Sequence, residues 1–131
     1  MIEIPRAVCD DIVRHAHEAL PNECCGLLLG QGTRIDEVVR TPNLKASPSA
    51  YLIDPAAHFA TLRRVRAEGR QIVGAYHSHT HSPAIPSASD MRESHYPEFV
   101  HVIVSLDGDA ADLRAYTIGG DRYEELPLSV G

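Results

Sequence analysis

Apolar residues recur at helical spacing near the start of the chain. Val8, Ile12, Ala16 and Leu20 fall four apart, with Val13 beside them. Asp10, Asp11, Arg14, His15 and Glu18 fall mostly off that stripe, so Pro5 to Leu20 reads as an amphipathic helix ended by Pro21-Asn22. His15 and His17 are expected to be solvated on its surface. The next run, Glu23 to Gly30, is short, apolar and bounded by turn residues, which is the pattern of a central strand. A turn at Gln31-Gly32-Thr33 makes Ile35 to Arg40 its hairpin partner. Thr41 to Ser49, with Pro42, Asn43 and Pro48, reads as loop, and Tyr51-Leu52-Ile53 is a candidate brief strand.

Asp54-Pro55 is an N-cap followed by proline at the first helical position. The helix it opens runs through Phe59, Leu62 and Val65 to Glu68, and Gly69 supplies the C-terminal cap. Arg63, Arg64, Arg66 and Arg70, on and just after this helix, read as a solvated face that complements the C-terminal dipole, not as a binding patch. Gln71 to Tyr76 is a buried strand, and Ser87 to His95 a short helix stopped before Pro97. Phe99 to Leu106 and Leu113 to Ile118 are strands about the turn Asp107-Gly108-Asp109, with His101 alternating outward. Arg122 to Glu125 is expected to be the last strand, and Leu126 to Gly131 a frayed tail. No repeat, low-complexity segment or boundary divides 1–131, so the expectation is a single domain.

Composition narrows the class. A 44% hydrophobic content with scattered charge is that of a globular protein able to bury a core. The formal charge of −6 and pI near 5.7 carry no nucleic-acid footprint. The basic residues are arginines except Lys45. The first residues lack the basic region and apolar run of a signal peptide, and no segment approaches the ~20 apolar residues of a membrane span. Cys9, Cys24 and Cys25 are an odd count and make no disulfide framework. A Cys24–Cys25 bridge would be strained, because adjacent Cα atoms sit ~3.8 Å apart, inside the usual disulfide minimum of ~4.4 Å. The expectation is a reducing cytoplasm with buried or semi-buried thiols, Cys24 and Cys25 each a small buried hydrophobe.

The chemistry gathers at the end of the 71–76 strand. His77 and His79 stand one residue apart at a strand end, where side chains alternate, so both point the same way. Asp90 follows a Pro-containing loop and opens a short helix, in which Ser87-Ala88-Ser89-Asp90 also fits a capping box. Two imidazoles and a carboxylate make a three-ligand set that leaves a fourth zinc position open for water. His81, in the loop, is read as substrate-facing or solvated. There is no His-Glu-x-x-His helix of the thermolysin kind, and no Cys-x-x-Cys of the zinc deaminases.

His77-Ser78-His79, seven residues, Ser87, two residues and Asp90 together resemble the JAMM motif of the MPN-plus metalloproteases. The family's upstream acidic residue matches Glu23 in Glu23-Cys24-Cys25-Gly26-Leu27-Leu28-Leu29-Gly30; Glu18, on the first helix, is its nearest competitor. The resemblance covers most of the chain. It implies an α/β fold with cytidine-deaminase-like layering: a curved, mixed, mainly antiparallel sheet with the first helix on one side and the second on the other. It implies one Zn2+ held by His77, His79 and Asp90, with Glu23 as general base and Ser87 as oxyanion donor. The compact prokaryotic members further imply an amide bond cut after the Gly-Gly end of a ubiquitin-like sulfur-carrier protein. The alternatives are a deubiquitinase-like isopeptidase and, from another class, a non-catalytic MPN scaffold.

Overall fold

The computed structural model describes residues 1–131. Eight strands and three helices follow one another as β1 (Ile2–Ile4), α1 (Arg6–Ala19), β2 (Cys25–Gln31), β3 (Arg34–Thr41), α2 (Pro55–Ala67), β4 (Gln71–His79), α3 (Ala88–Glu93), β5 (Val100–Ser105), β6 (Asp112–Gly119), β7 (Arg122–Leu126) and β8 (Leu128–Val130). All strands join one sheet in the order β7-β6-β5-β4-β2-β3-β1-β8. The pairings β7·β6, β6·β5, β4·β2 and β2·β3 are antiparallel; β5·β4, β3·β1 and β1·β8 are parallel. The mixed, mainly antiparallel α/β architecture expected from the resemblance is what forms.

The order of strands explains the curvature. β7 and β8 lie at opposite ends of the sheet, yet only Pro127 separates them in the chain. The sheet must therefore curl until its two edges share one continuous stretch. Proline suits the changeover, since it has no N–H to leave unpaired, and its carbonyl accepts from the Ile2 N–H at 2.8 Å. Leu126 and Leu128, either side of it, pack on the core. Leu126 to Gly131 is thus a structural closure and not the frayed tail expected, and the unforeseen β1 is its partner.

Curling wraps the sheet around α1. Val8, Ile12 and Ala16, the stripe read from the sequence, are buried against Leu28, Tyr76, Val102 and Val104. The opposite face carries α2, which buries Thr61 and Val65. The Asp54 side chain accepts from the Ala56 N–H at 2.9 Å and caps α2, and Gly69 takes φ +67° at its end. Gly74 is required where β4 meets β5, because a Cβ there would lie 1.9 Å from the Val100 carbonyl oxygen.

Several boundaries move. The ladder of β2 starts at Cys25, so Glu23 precedes it instead of opening it. The brief strand at 51–53 reduces to one bridge between Asn43 and Ile53. The short helix stops at Glu93, not His95. Of the arginines on and after α2, Arg64 pairs with Glu37 at 2.8 Å and Glu68 at 3.2 Å, and Arg70 pairs with Asp36, Glu37 and Glu68. They tie α2 to β3 at the surface.

Candidate metal centre

Alternation along β4 sends Tyr76 and Ser78 toward α1 and His77 and His79 toward the α2 face. Both histidines are buried. Asp90 is brought to them by a capping box: the Ser87 Oγ accepts from the Asp90 N–H at 3.0 Å, and Asp90 Oδ2 accepts from the Ser87 N–H at 2.9 Å. The same Oδ2 lies 3.2 Å from His77 Nε2 and 3.0 Å from His79 Nε2. The two Nε2 atoms are 3.2 Å apart. Three ligand-type atoms therefore converge on one point.

The surroundings orient them. His79 Nδ1 donates to the Pro83 carbonyl at 2.7 Å, which turns Nε2 toward the cluster. The Tyr51 ring stacks on His77 with centroids 4.3 Å apart. The loop between β4 and α3 is anchored from behind by Ser105 Oγ donating to the Ser82 carbonyl at 2.6 Å and by Tyr116 donating to the Ala84 carbonyl. Two imidazoles and a carboxylate, with one ring already oriented, are a donor set that could hold a metal ion and leave a position open.

Charge is distributed accordingly. Burial disfavours ionised Asp90, but the hydrogen bonds from His77 and His79 outweigh it and hold the carboxyl well below the usual range. Burial lowers the pKa of His77. His79 is raised, because burial is outweighed by its bonds to Asp90 and Pro83. Glu23 is 6% exposed, and burial, helped by Asp90 and opposed by His79, pushes its carboxyl up to about 7. A carboxyl that titrates near neutrality beside a metal-ligand cluster is suited to move protons. Glu18 is elsewhere, ion-paired with Arg40 on the exposed side of α1.

Ser87 sits at the exposed lip of the cluster. Its oxygen takes the Asp90 N–H, so its own proton remains available to donate. Beside the cluster opens a cavity of about 500 Å3, with Leu27, Tyr51, His58, Ala75, Phe99 and His101 in its wall. His101 corrects the reading of it as outward-facing, for it is 5% exposed. Its Nε2 lies 3.3 Å from Ser94 Oγ, fastening the segment after α3 to β5. Burial brings its pKa down to about 4. His15 is a second correction: it is half-buried, with Nδ1 2.7 Å from the Tyr76 hydroxyl, while His17 is exposed. His81 and His95 are exposed and stand apart from the cluster. All three cysteines are free, and burial pushes the Cys24 thiol up to about 11, which makes it a poor nucleophile. Tyr51 and Asn43, both in the 42–54 loop, are site residues that no motif indicates.

Residues 5–119 match the family described as prokaryotic homologs of the JAB domain. The chain is 34% identical over 128 residues to a desampylase of Haloferax volcanii, covering 92% of this chain and 90% of that protein. It is 33% identical over 114 residues to a probable TtuB-protein conjugate cleaving protease of Thermus thermophilus, covering 86% and 76%. A CysO-cysteine peptidase of Mycobacterium tuberculosis is 32% identical over 122 residues, covering 91% and 84%. Among solved structures, a protein from Desulfitobacterium hafniense superposes with TM-score 0.91 at 31% identity, covering 100% of this chain and 93% of the other. A JAB1/MPN domain protein from Archaeoglobus fulgidus shares the fold at TM-score 0.66 and 24% identity, covering 100% and 97%.

Proposed function

The chain belongs to the family of prokaryotic homologues of the JAB domain, and from that premise we propose that it is a zinc-dependent peptidase. Its substrate in this reading is an amide bond after the Gly-Gly end of a ubiquitin-like sulfur-carrier protein. The observation that carries the proposal is the convergence of His77, His79 and Asp90 beside a buried carboxyl poised near neutrality. The relatives' names describe cleavage, and one specifies a protein conjugate as what is cleaved. Residues 1–131 form one catalytic domain in this reading, working in the cytoplasm. No helix is long and apolar enough to cross a membrane.

His77, His79 and Asp90 would hold the metal, which when bound supplies Lewis acidity and a water acidified toward neutral pH. Glu23 takes the proton of the attacking water and delivers it to the leaving amine, a task matched to a pKa near 7. Ser87 donates its hydroxyl to the developing oxyanion, a contact whose loss costs about 10²–10³-fold where such donors have been removed. His101 and the 94–96 segment keep the cavity wall in place while an extended tail lies across it.

The test is intact-mass analysis of a small ubiquitin-like carrier fused to a short C-terminal extension, with and without the enzyme. A product ending at Gly-Gly is expected. Rapid cutting of ubiquitin chains beside an untouched fusion would reverse the preference in favour of a deubiquitinase-like isopeptidase.

A further inference from the structure

Glu23 lies outside the sheet. Because the β2 ladder begins at Cys25, its backbone groups have no strand partner. Both are nonetheless held, and by one loop. The Glu23 N–H donates to the Ser47 carbonyl at 2.9 Å, and the Glu23 carbonyl accepts from Asn43 Nδ2 at 3.0 Å.

Asn43 is the hub of that loop. Its Nδ2 also donates to the Ala50 carbonyl at 3.0 Å. Its Oδ1 accepts the Lys45 N–H at 3.1 Å and the Leu52 N–H at 3.0 Å. A carboxamide has two N–H donors and two acceptor lone pairs, and all four are placed here. The loop so shaped is pinned just past the end of β4, where Thr80 Oγ1 donates to the Pro48 carbonyl at 2.9 Å, and it lays Tyr51 over His77. The bonds at Oδ1 are those of a turn-forming asparagine and would shape any loop. The bond at Nδ2 to Glu23 is different, because it fixes the main chain that carries the base.

We propose that Asn43 is a positioning residue for catalysis: its amide donation sets the main chain of Glu23, and hence the reach of the carboxyl, relative to the His77–His79–Asp90 cluster. The inference rests on Glu23 as the general base. The ligand residues come from β4 and α3, and none of Asn43's four hydrogen bonds goes to either, so its variants are expected to keep their metal. Displacing a catalytic group by about 1 Å can cost ~10²-fold in rate.

Asn43→Asp separates the two roles, since it keeps an acceptor for Lys45 and Leu52 and loses both donations. Asn43→Ser, too short to reach Glu23, is the second variant. Each is compared with wild type and Glu23→Gln for kcat, KM, metal content and melting temperature, and Asn43→Asp is also made on the Glu23→Gln background. The expected result is a kcat lower by about 10–100-fold with KM and metal content little changed. On the Glu23→Gln background Asn43→Asp costs nothing further, because the residue through which it acts is already disabled. A merely structural asparagine predicts the same fractional loss on both backgrounds, and that outcome would overturn the inference. So would wild-type kcat in folded Asn43→Asp or Asn43→Ser. A wild type without turnover sinks the hydrolase reading itself, and this inference with it; an active wild type whose Asn43 variants match it sinks only the inference.

Discussion

Tyr76 and Ser78 turn one way from β4, and His77 and His79 turn the other. On the α1 side, Tyr76 joins Val8, Ile12, Ala16, Leu28 and the valines of β5 in a continuous apolar core. On the α2 side, apolar residues such as Val65, Ile103 and Tyr116 share the interior with two imidazoles, a carboxylate and Glu23, each of which needs a partner as well as packing. Residues of one strand thus serve opposite ends. Burial on the α1 face stabilises the fold, while burial on the other raises Glu23 and lowers His77 in pKa and so costs stability. The difference teaches that the curled sheet is what supports the site: the core around α1 offsets the cost of a desolvated polar cluster on the far side.

Replacing Ile12 with Ala should break the stabilising face. Ile12 is fully buried, and truncating a core isoleucine to alanine costs about 2–5 kcal/mol. Denaturant unfolding should show that loss, while folded protein keeps its metal and kcat. Loss of metal in the folded variant would mean that the two faces are not separable.

A smaller effect of opposite sign should come from Glu23→Gln in metal-free protein. The carboxyl has a folded pKa of about 7, above its ordinary 4.5. Below both values it is protonated in folded and unfolded chains alike and costs nothing. As pH rises through this window the unfolded chain releases its proton first, so the wild type loses stability and the loss is complete above about pH 7. Glutamine has no such dependence. The variant should be the more stable near pH 8, by about 3 kcal/mol, with the gap closing toward pH 4.5. Thermal melts at both pH values check it, and a gap independent of pH would contradict the assignment of burial as the cause.

What could be read from the chain follows from the range of the interactions. The α1 stripe, the Asp54-Pro55 start of α2 and the β2–β3 hairpin are local patterns, and each formed where expected within a few residues. The His77, His79, Ser87 and Asp90 spacing is local too, and those residues lie together, with the capping box of α3 as the device that joins them. β1 and β8 escaped because three-residue strands have no measurable period, and their partner lies at the other end of the chain. His101 reads as outward because alternation gives a face and not its covering; the segment after α3, with Ser94, supplies that. Asn43 looked like loop composition beside Pro42, and only its four hydrogen bonds distinguish it.

The central claim is that His77, His79 and Asp90 form a zinc site whose operation, but not whose occupancy, depends on Glu23. Elemental analysis of protein purified without added metal tests it most directly, run in parallel on wild type, Asp90→Ala and Glu23→Gln. The account predicts about one zinc per chain in wild type and Glu23→Gln, and almost none in folded Asp90→Ala. A folded wild type that hydrolyses its substrate while free of metal would contradict it.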